Sequence, residues 1–361
     1  MPPVLVLDSD KFTKSSIEIV AHMFRNQTYV QQLKLTDKVK DFKEIDGIVY
    51  NNSMTELIAC SIDKESVEIP EGIVTISRGA FKYCKIKTIK LPDSLETIEE
   101  YAFSYCHKLR HIDFGKSLYL IGNKAFLECT ALEEVEFPEQ LKVIKASAFL
   151  NSGLESIKLN EGLQRIGLWA FANTNITSVD IPASVNEIGP RAFGIKLKSL
   201  EFEKFSPVYF FEIIDGAMDD EVIEVKCQDK IAYIPRYIKP SMEKKFQESF
   251  IWYFNQDLEK TWEFWDYAYL ASGRENAAFV EYEAFAGYRA EAYLKKNAKR
   301  FAFRLIKEGD EEKTVRFLKL GFLSNASLKE LASKANELGQ MTVQAYLLEL
   351  LRGERNHDFS L

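Results

Sequence analysis

One short phrase recurs through the middle of the chain and leaves few ways to fold it. Ala-Phe stands at 80/81, 102/103, 125/126, 148/149, 170/171 and 192/193. Five residues before each Phe is an Ile: Ile76, Ile98, Ile121, Ile144, Ile166 and Ile188. A triplet with two apolar ends precedes each unit: Val67/Ile69, Ile89/Leu91, Ile112/Phe114, Val135/Phe137, Ile157/Leu159, Val179/Ile181, then Leu200/Phe202. Successive repeat Phe residues are 22 or 23 positions apart. Such a period marks a solenoid, because one unit is too small to bury its own apolar face and only stacked neighbours can do so.

Within each unit the triplet reads as a short strand of a parallel sheet on one wall. Pro at 70, 92, 138 and 182 lacks the N–H that would continue the ladder, so it ends the strand. An inward apolar residue follows (Ile73, Leu95, Leu118, Leu141, Leu163 and Val185), then the Ile, then Gly at 122, 167 and 189. The Ala-Phe pair comes next on the opposite wall, with Ala where backbones pack closely and Phe filling the space between walls. Of five cysteines, Cys84, Cys106 and Cys129 share the slot three residues after the Phe, while Cys60 and Cys227 lie elsewhere. A repeat-locked slot and an odd count favour a buried column of reduced thiols over disulfides. No Cys-x-x-Cys or His pair accompanies them, so zinc is not expected.

The phrase hydrophobic-x-Ile-Pro-x-x-Val-x-x-Ile-Gly-x-x-Ala-Phe-x-x-Cys-x-x-Leu resembles the BspA-type, or Treponema-type, leucine-rich repeat. Asp46-Gly47-Ile48-Val49-Tyr50 resembles the entry segment of that family. The resemblance implies a curved solenoid used for protein contacts, common in bacteria and usually at the cell surface.

The expected fold class is α+β: a leucine-rich-repeat solenoid followed by an all-α domain. Residues 1–65 read as an N-terminal cap, 66–240 as the solenoid with a closing hairpin, and 241–361 as the helical domain. In the cap, Val4-Leu5-Val6 reads as a strand, Thr13–Arg25 as an amphipathic helix, and Asp46–Cys60 as a hairpin inserted between two rungs. Val222–Val225 is in phase for one last strand after an irregular segment, Ser206–Asp220, and Lys230–Ile234 would close the hairpin. Helices are expected from Ser241, which can cap the first, then near Leu258–Ala271, Glu275–Ala286, Tyr288–Glu308, Thr314–Leu320, Ser327–Leu338 and Thr342–Leu351. The tail repeats weakly at about 30 residues (Gly309-Asp310, then Gly339-Gln340) and is similar to ankyrin helix pairs, without their Thr-Pro-Leu-His phrase.

Composition narrows the function classes. A net charge of −7 argues against nucleic-acid binding. No apolar run approaches the roughly 18 residues of a membrane span. The N-terminus lacks a basic, apolar leader, so the chain as written reads as cytoplasmic, or as surface or secreted if a leader was removed. No catalytic site, metal site or cofactor is expected. Asp8-Ser9-Asp10 resembles the strand end of haloacid-dehalogenase-type phosphotransferases, but no doubly wound sheet follows to supply their remaining ligands. His107 and His111 are four apart, yet one falls in a turn and the other in a strand.

The candidate binding surface is the open face of the triplet strands. The central residue of each triplet must point outward because its neighbours point in. Those residues are Glu68, Lys90, Asp113, Glu136, Lys158, Asp180 and Glu201, flanked two positions earlier by His111 and Glu134 among others. Acids outnumber bases five to two there, which suits a polar or basic protein segment. A weaker candidate is the basic stripe Lys296, Arg300, Arg304 and Lys307 on the long helix, suited to an anionic partner. The leading expectation is a non-enzymatic scaffold with a protein partner. The alternatives are an adhesin, or an effector or enzyme with its activity in the helical domain.

Overall fold

Three hydrogen-bonded ladders run along the repeats. The computed structural model describes residues 4–17, 32–61, 64–204, 221–255 and 263–357. These fall into two compact units: 4–204 with 223–231 and 247–255, and 221–222 with 232–246 and 263–357.

The first ladder consists of the triplet strands. Ser66–Glu68, Thr88–Lys90 and His111–Asp113 pair in parallel, as do Glu134–Glu136 with Ser156–Lys158, and Ser178–Ile181 with Ser199–Phe202. Central apolar residues such as Val67, Ile89 and Val135 are buried and their neighbours exposed, as a period of two requires. The ladder lapses between His111–Asp113 and Glu134–Glu136, and again between Ser156–Lys158 and Ser178–Ile181.

The second ladder is formed by the Ile that precedes each Ala-Phe. Two-residue strands Thr75–Ile76, Thr97–Ile98, Leu120–Ile121, Val143–Ile144, Arg165–Ile166 and Glu187–Ile188 stack in parallel. Their Ile side chains point inward, five at 0% exposure and Ile188 at 5%, so this wall is sealed as well as the first.

The third ladder lies at the Ala-Phe corner. Phe81, Phe103, Phe126, Phe149 and Phe171 each donate their backbone N–H at 2.7 Å to the Ala carbonyl of the next rung. Residues two before and two after the Phe do the same: Tyr101 donates to Asn123 at 3.0 Å and Tyr83 to Ser104 at 2.9 Å. The N–H groups in between close turns within the rung, as Lys82 does onto Gly79 at 3.0 Å. Aiming every second N–H at the next rung on so tight a corner requires left-handed backbone at both flanking positions. Hence φ is 59° at Tyr101, 62° at Tyr105, 54° at Lys124, 61° at Glu128 and 56° at Trp169. Each such residue with a Cβ costs roughly 1–2 kcal/mol, which the ladder and the packed core must offset.

The Phe rings supply much of that core. They form one column with centroids 4.8, 5.0, 4.9, 5.3 and 5.7 Å apart and planes within 8° of parallel. Gly167 sits where rungs approach closely: a Cβ there would lie 2.5 Å from the Lys145 carbonyl carbon. All five cysteines are buried and unbridged. The Cys106 Sγ donates to the Phe81 carbonyl at 3.0 Å and the Cys129 Sγ to that of Phe103 at 3.2 Å. Burial pushes the Cys129 thiol far above its ordinary pKa.

At the N-terminal end, Val4–Leu7 and Gln32–Leu35 pair in parallel. Residues 14–17 are helical, and the rest of the expected Thr13–Arg25 helix lies outside the described residues. Leu7, Ile17, Val39, Val49, Ile58 and Ala59 form a small core of their own. Phe42–Ile45, Ile48–Asn51 and Glu56–Cys60 make an antiparallel meander. The hairpin is therefore not an insertion between rungs. Glu56–Cys60 pairs in parallel with Thr75–Ile76, placing Leu57 against Ile76 and starting the second ladder. Cys60 donates to the Ala80 carbonyl at 2.9 Å, the bond each later Phe makes, so this strand is a degenerate first rung.

At the other end Val222–Cys227 joins Ser199–Phe202 in register, Leu200 opposite Val225 and Phe202 opposite Cys227. The chain reverses at Gln228 (φ 56°) and continues as the strand Lys230–Pro235. Residues 206–220, expected to be irregular, lie outside the described residues.

Six α-helices follow among the described residues: α1 (Glu243–Asn255), α2 (Ala271–Phe285), α3 (Tyr288–Glu308), α4 (Glu311–Leu318), α5 (Asn325–Glu337) and α6 (Met341–His357). Ser241 lies inside a 3-10 turn, Pro240–Met242, rather than capping α1. The helix expected near Leu258–Ala271 is also different: its described part holds a 3-10 turn, Phe264–Tyr267, and three non-helical residues before α2 begins at Ala271. The later boundaries have clear causes. Gly309 (φ 81°) closes α3, its N–H returning to the Leu305 and Ile306 carbonyls. The Asp310 side chain caps α4 through the Lys313 N–H at 3.0 Å, and that of Ser324 caps α5 through Ser327 at 3.3 Å. Phe279, Phe301 and Phe317 meet edge-on at the centre, with Leu294, Leu305, Leu331 and Leu347 around them. Trp265 is buried in this core, Trp252 is 42% exposed, and Trp262 lies outside the described residues.

Candidate functional site

The open face of the first ladder carries the residues expected there, in two in-register columns. Glu68 stands opposite Lys90, Lys90 opposite Asp113, Glu136 opposite Lys158, and Asp180 opposite Glu201. The N-terminal end neutralises itself. Lys90 donates to Glu68 at 2.8 Å, and that hydrogen bond holds the Glu68 carboxyl below its ordinary pKa and the Lys90 ammonium above its own. At the C-terminal end Lys226 lies in register with Glu201. Its hydrogen bond to Glu224 raises its pKa first, and the charges of Glu201 and Asp180 add to the effect.

The middle differs. Among the described residues His111, Glu134, Glu136 and Lys158 make no ion pair or side-chain hydrogen bond, and Asp113 accepts only the nearby Gly115 N–H at 3.1 Å. These five side chains line an open groove of about 1230 Å³ that continues along Lys116, Glu139 and Gln140. The groove lies across the first lapse in the ladder. Lys116 is turned away to Asp93 at 2.5 Å, so its charge is already answered. Asp113, Glu134, Glu136 and Glu139 therefore face Lys158 and His111 with an excess of negative charge.

The corner face has a feature missed in the sequence. Tyr83 and Tyr105 stack at 4.8 Å, and His107 meets Tyr105 edge-on at 6.0 Å. The Lys82 ammonium lies 5.2, 5.1 and 5.7 Å from the Tyr83, Tyr101 and Tyr105 rings. The signal was present as Tyr two positions from the repeat Phe, but only the left-handed corner brings those slots side by side.

The basic stripe on α3 divides into three fates. Lys296 and Arg300 line a cavity of about 390 Å³. Arg304 is drawn inward, its Nε 3.0 Å from the almost fully buried Glu275 and its guanidinium 2.9 Å from Glu308. Lys307 remains exposed on the surface. Among the described residues no group of three His, Cys, Asp or Glu is arranged to hold a metal. Asp8 is engaged by Lys38 at 2.8 Å and by the Thr36 hydroxyl at 2.5 Å.

A family model described as the BspA type leucine rich repeat region matches in six copies, over residues 56–173 and 121–210. The repeats belong to that family. No curated protein matches the chain. Among solved structures it is similar to pneumococcal vaccine antigen PcpA, with 18% identity over 63% of this chain and 51% of that one, TM-score 0.40. A leucine-rich repeat protein from Bacteroides ovatus shares 19% identity over 62% and 64% of the two chains, TM-score 0.40. The Treponema pallidum leucine-rich repeat protein shares 24% over 45% and 69%, TM-score 0.31. The chain thus spans between half and two thirds of the first two, and these likenesses concern the repeat fold alone. No helix among the described residues is long and apolar enough to cross a membrane.

Proposed function

We propose that this chain is a non-enzymatic interaction scaffold that binds an extended basic segment of a protein partner. The docking site is the middle of the BspA-type first ladder, from His111 to Lys158. The observation carrying this reading is the contrast along one face: at the N-terminal end Lys90 answers Glu68, whereas the groove leaves three carboxylates without a cation. The ladder holds its strands in place beforehand, so a partner loses little affinity to ordering the receptor. Acidic side chains set on a fixed lattice favour selection of a complementary basic partner and fast encounter more than raw affinity.

The test uses the full chain and an unstructured peptide rich in Lys and Arg. Asp113→Lys with Glu136→Lys is expected to weaken binding by about tenfold or more and to remove most of its salt dependence. Exchanging Glu68 and Lys90, which already satisfy each other, leaves binding unchanged. Equal binding by the groove variant and the wild-type chain refutes the site.

A further inference from the structure

The helical domain contains a second cavity, of opposite character. It lies between α2, α3 and the segment that precedes the 3-10 turn Pro240–Met242, and its volume of about 390 Å³ falls in the lower range of small-molecule sites. Four cationic side chains from these three elements converge on it: Lys239, Arg274, Lys296 and Arg300. Tyr269 and Tyr293 supply flat walls.

The charge is not cancelled locally. Glu275, 1% exposed, is held by Arg300 Nε at 2.6 Å and Arg304 Nε at 3.0 Å. Arg304 also binds Glu308, and Asp266 lies 3.8 Å from Arg274. Setting Glu275, Glu308 and Asp266 against the four cations and Arg304 leaves two positive charges. Among the described residues Lys239 and Lys296 have no ion pair. Arg274 Nε is buried without a hydrogen-bond partner. A buried donor left unmade costs about 1–3 kcal/mol unless something outside the described chain accepts it. The N-terminus of α2 opens onto the same space at Ala271, and its Leu270 cap offers no side chain to the first N–H groups.

We infer that this cavity binds a small organic phosphate with a flat ring, of the nucleoside monophosphate class. A phosphoryl group carries close to two negative charges at neutral pH, matching the excess. Its oxygens suit the fork of an arginine, and inorganic phosphate alone would leave most of the volume and both tyrosine walls unused.

Isothermal titration of the full chain tests this with adenosine monophosphate, adenosine, citrate and inorganic phosphate. The monophosphate is expected to bind in the micromolar range, at least about tenfold more tightly than each of the others. Lys239→Gln and Lys296→Gln touch no core contact and are each expected to weaken it about tenfold. No binding of the monophosphate at millimolar concentration overturns the inference. So does binding that both variants leave unchanged, or citrate binding equally well. Vesicles carrying a phosphoinositide that bind the chain without competition from the monophosphate would move the ligand to a lipid surface and overturn the soluble-ligand reading.

Discussion

Glu281 offers a sharp test of how the helical domain is held together. Its side chain is buried on α2 at 2% exposure, and its Oε2 has no hydrogen-bond partner. Burial raises its pKa from the ordinary 4.5 to about 8, and the negative charge of Glu263 adds to the rise. The Trp265 indole and Arg289 act in the opposite sense and are too weak to reverse it. The folded chain therefore keeps this proton up to about pH 8, whereas the unfolded chain releases it near pH 4.5. Below 4.5 both states hold the proton and the group has no effect. Above it the folded state binds more protons, so stability falls as pH rises and levels off beyond about pH 8. At roughly 1.4 kcal/mol for each pH unit, the loss accumulated by pH 7 is on the order of 3 kcal/mol. Glu281→Gln places a neutral amide there at every pH. Relative to wild type it should be nearly neutral at pH 4 and more stable by up to about 3 kcal/mol at pH 7, less any cost of an amide left without partners. Amide hydrogen exchange in α2 and α3, measured from pH 5 to 8, reads the difference directly. If the variant and wild type change in parallel across that range, the carboxyl is not protonated in the folded chain and the reasoning fails.

Two further substitutions test the solenoid. Phe126→Ala empties the centre of the ring column, where both neighbouring centroids lie within 5.0 Å, and should cost about 3–5 kcal/mol by urea denaturation. Gly167→Ala and Gly79→Ala make the same chemical change for different reasons. At Gly167 the new Cβ meets backbone at 2.5 Å, so the rungs must part and the loss should exceed 2 kcal/mol, about the upper limit for left-handed strain. At Gly79 (φ 63°) the nearest atom is 3.9 Å away and the loss should be only about 1–2 kcal/mol. Similar thermal shifts for the two would show that close approach does not set the rung spacing.

The solenoid was legible because its constraints repeat. Each inward position is tested six times over, so Ile98, Phe103 and Leu95 announce their slots by recurrence. The outward column from Glu68 to Glu201 followed from phase alone, since a strand places successive side chains on opposite faces. Recurrence shows where a slot is and not what the backbone does there. Tyr101, Lys124, Ser147 and Trp169 share no side-chain chemistry, so nothing in their identity disclosed that all four are left-handed. The meander at residues 42–60 was misplaced for a related reason. Its last strand bonds to the next rung as a rung does, but it puts Leu57 in the Ile slot and Cys60 in the Phe slot, three residues apart rather than five.

The helical tail obeys a different logic. Its boundaries were legible wherever a local rule decides them, as at Gly309 and Asp310. Its sites were not, because they join residues distant in sequence. Lys296, Arg300, Arg304 and Lys307 form one stripe on a helical wheel, and the wheel treats them alike. What separates them is Glu275, 25 positions from Arg300 and 29 from Arg304, buried where it draws both guanidinium groups to one side. A buried carboxylate needs such partners, because an unpaired charge there would cost several kcal/mol. Glu275 and Glu281 show the two solutions available to an acid on one buried helix. The first recruits two arginines, at the cost of fixing α3 against α2. The second finds no cation within reach strong enough and keeps its proton. The sequence spacing of six places them about 120° apart around α2, so the arginines that serve Glu275 cannot also serve Glu281.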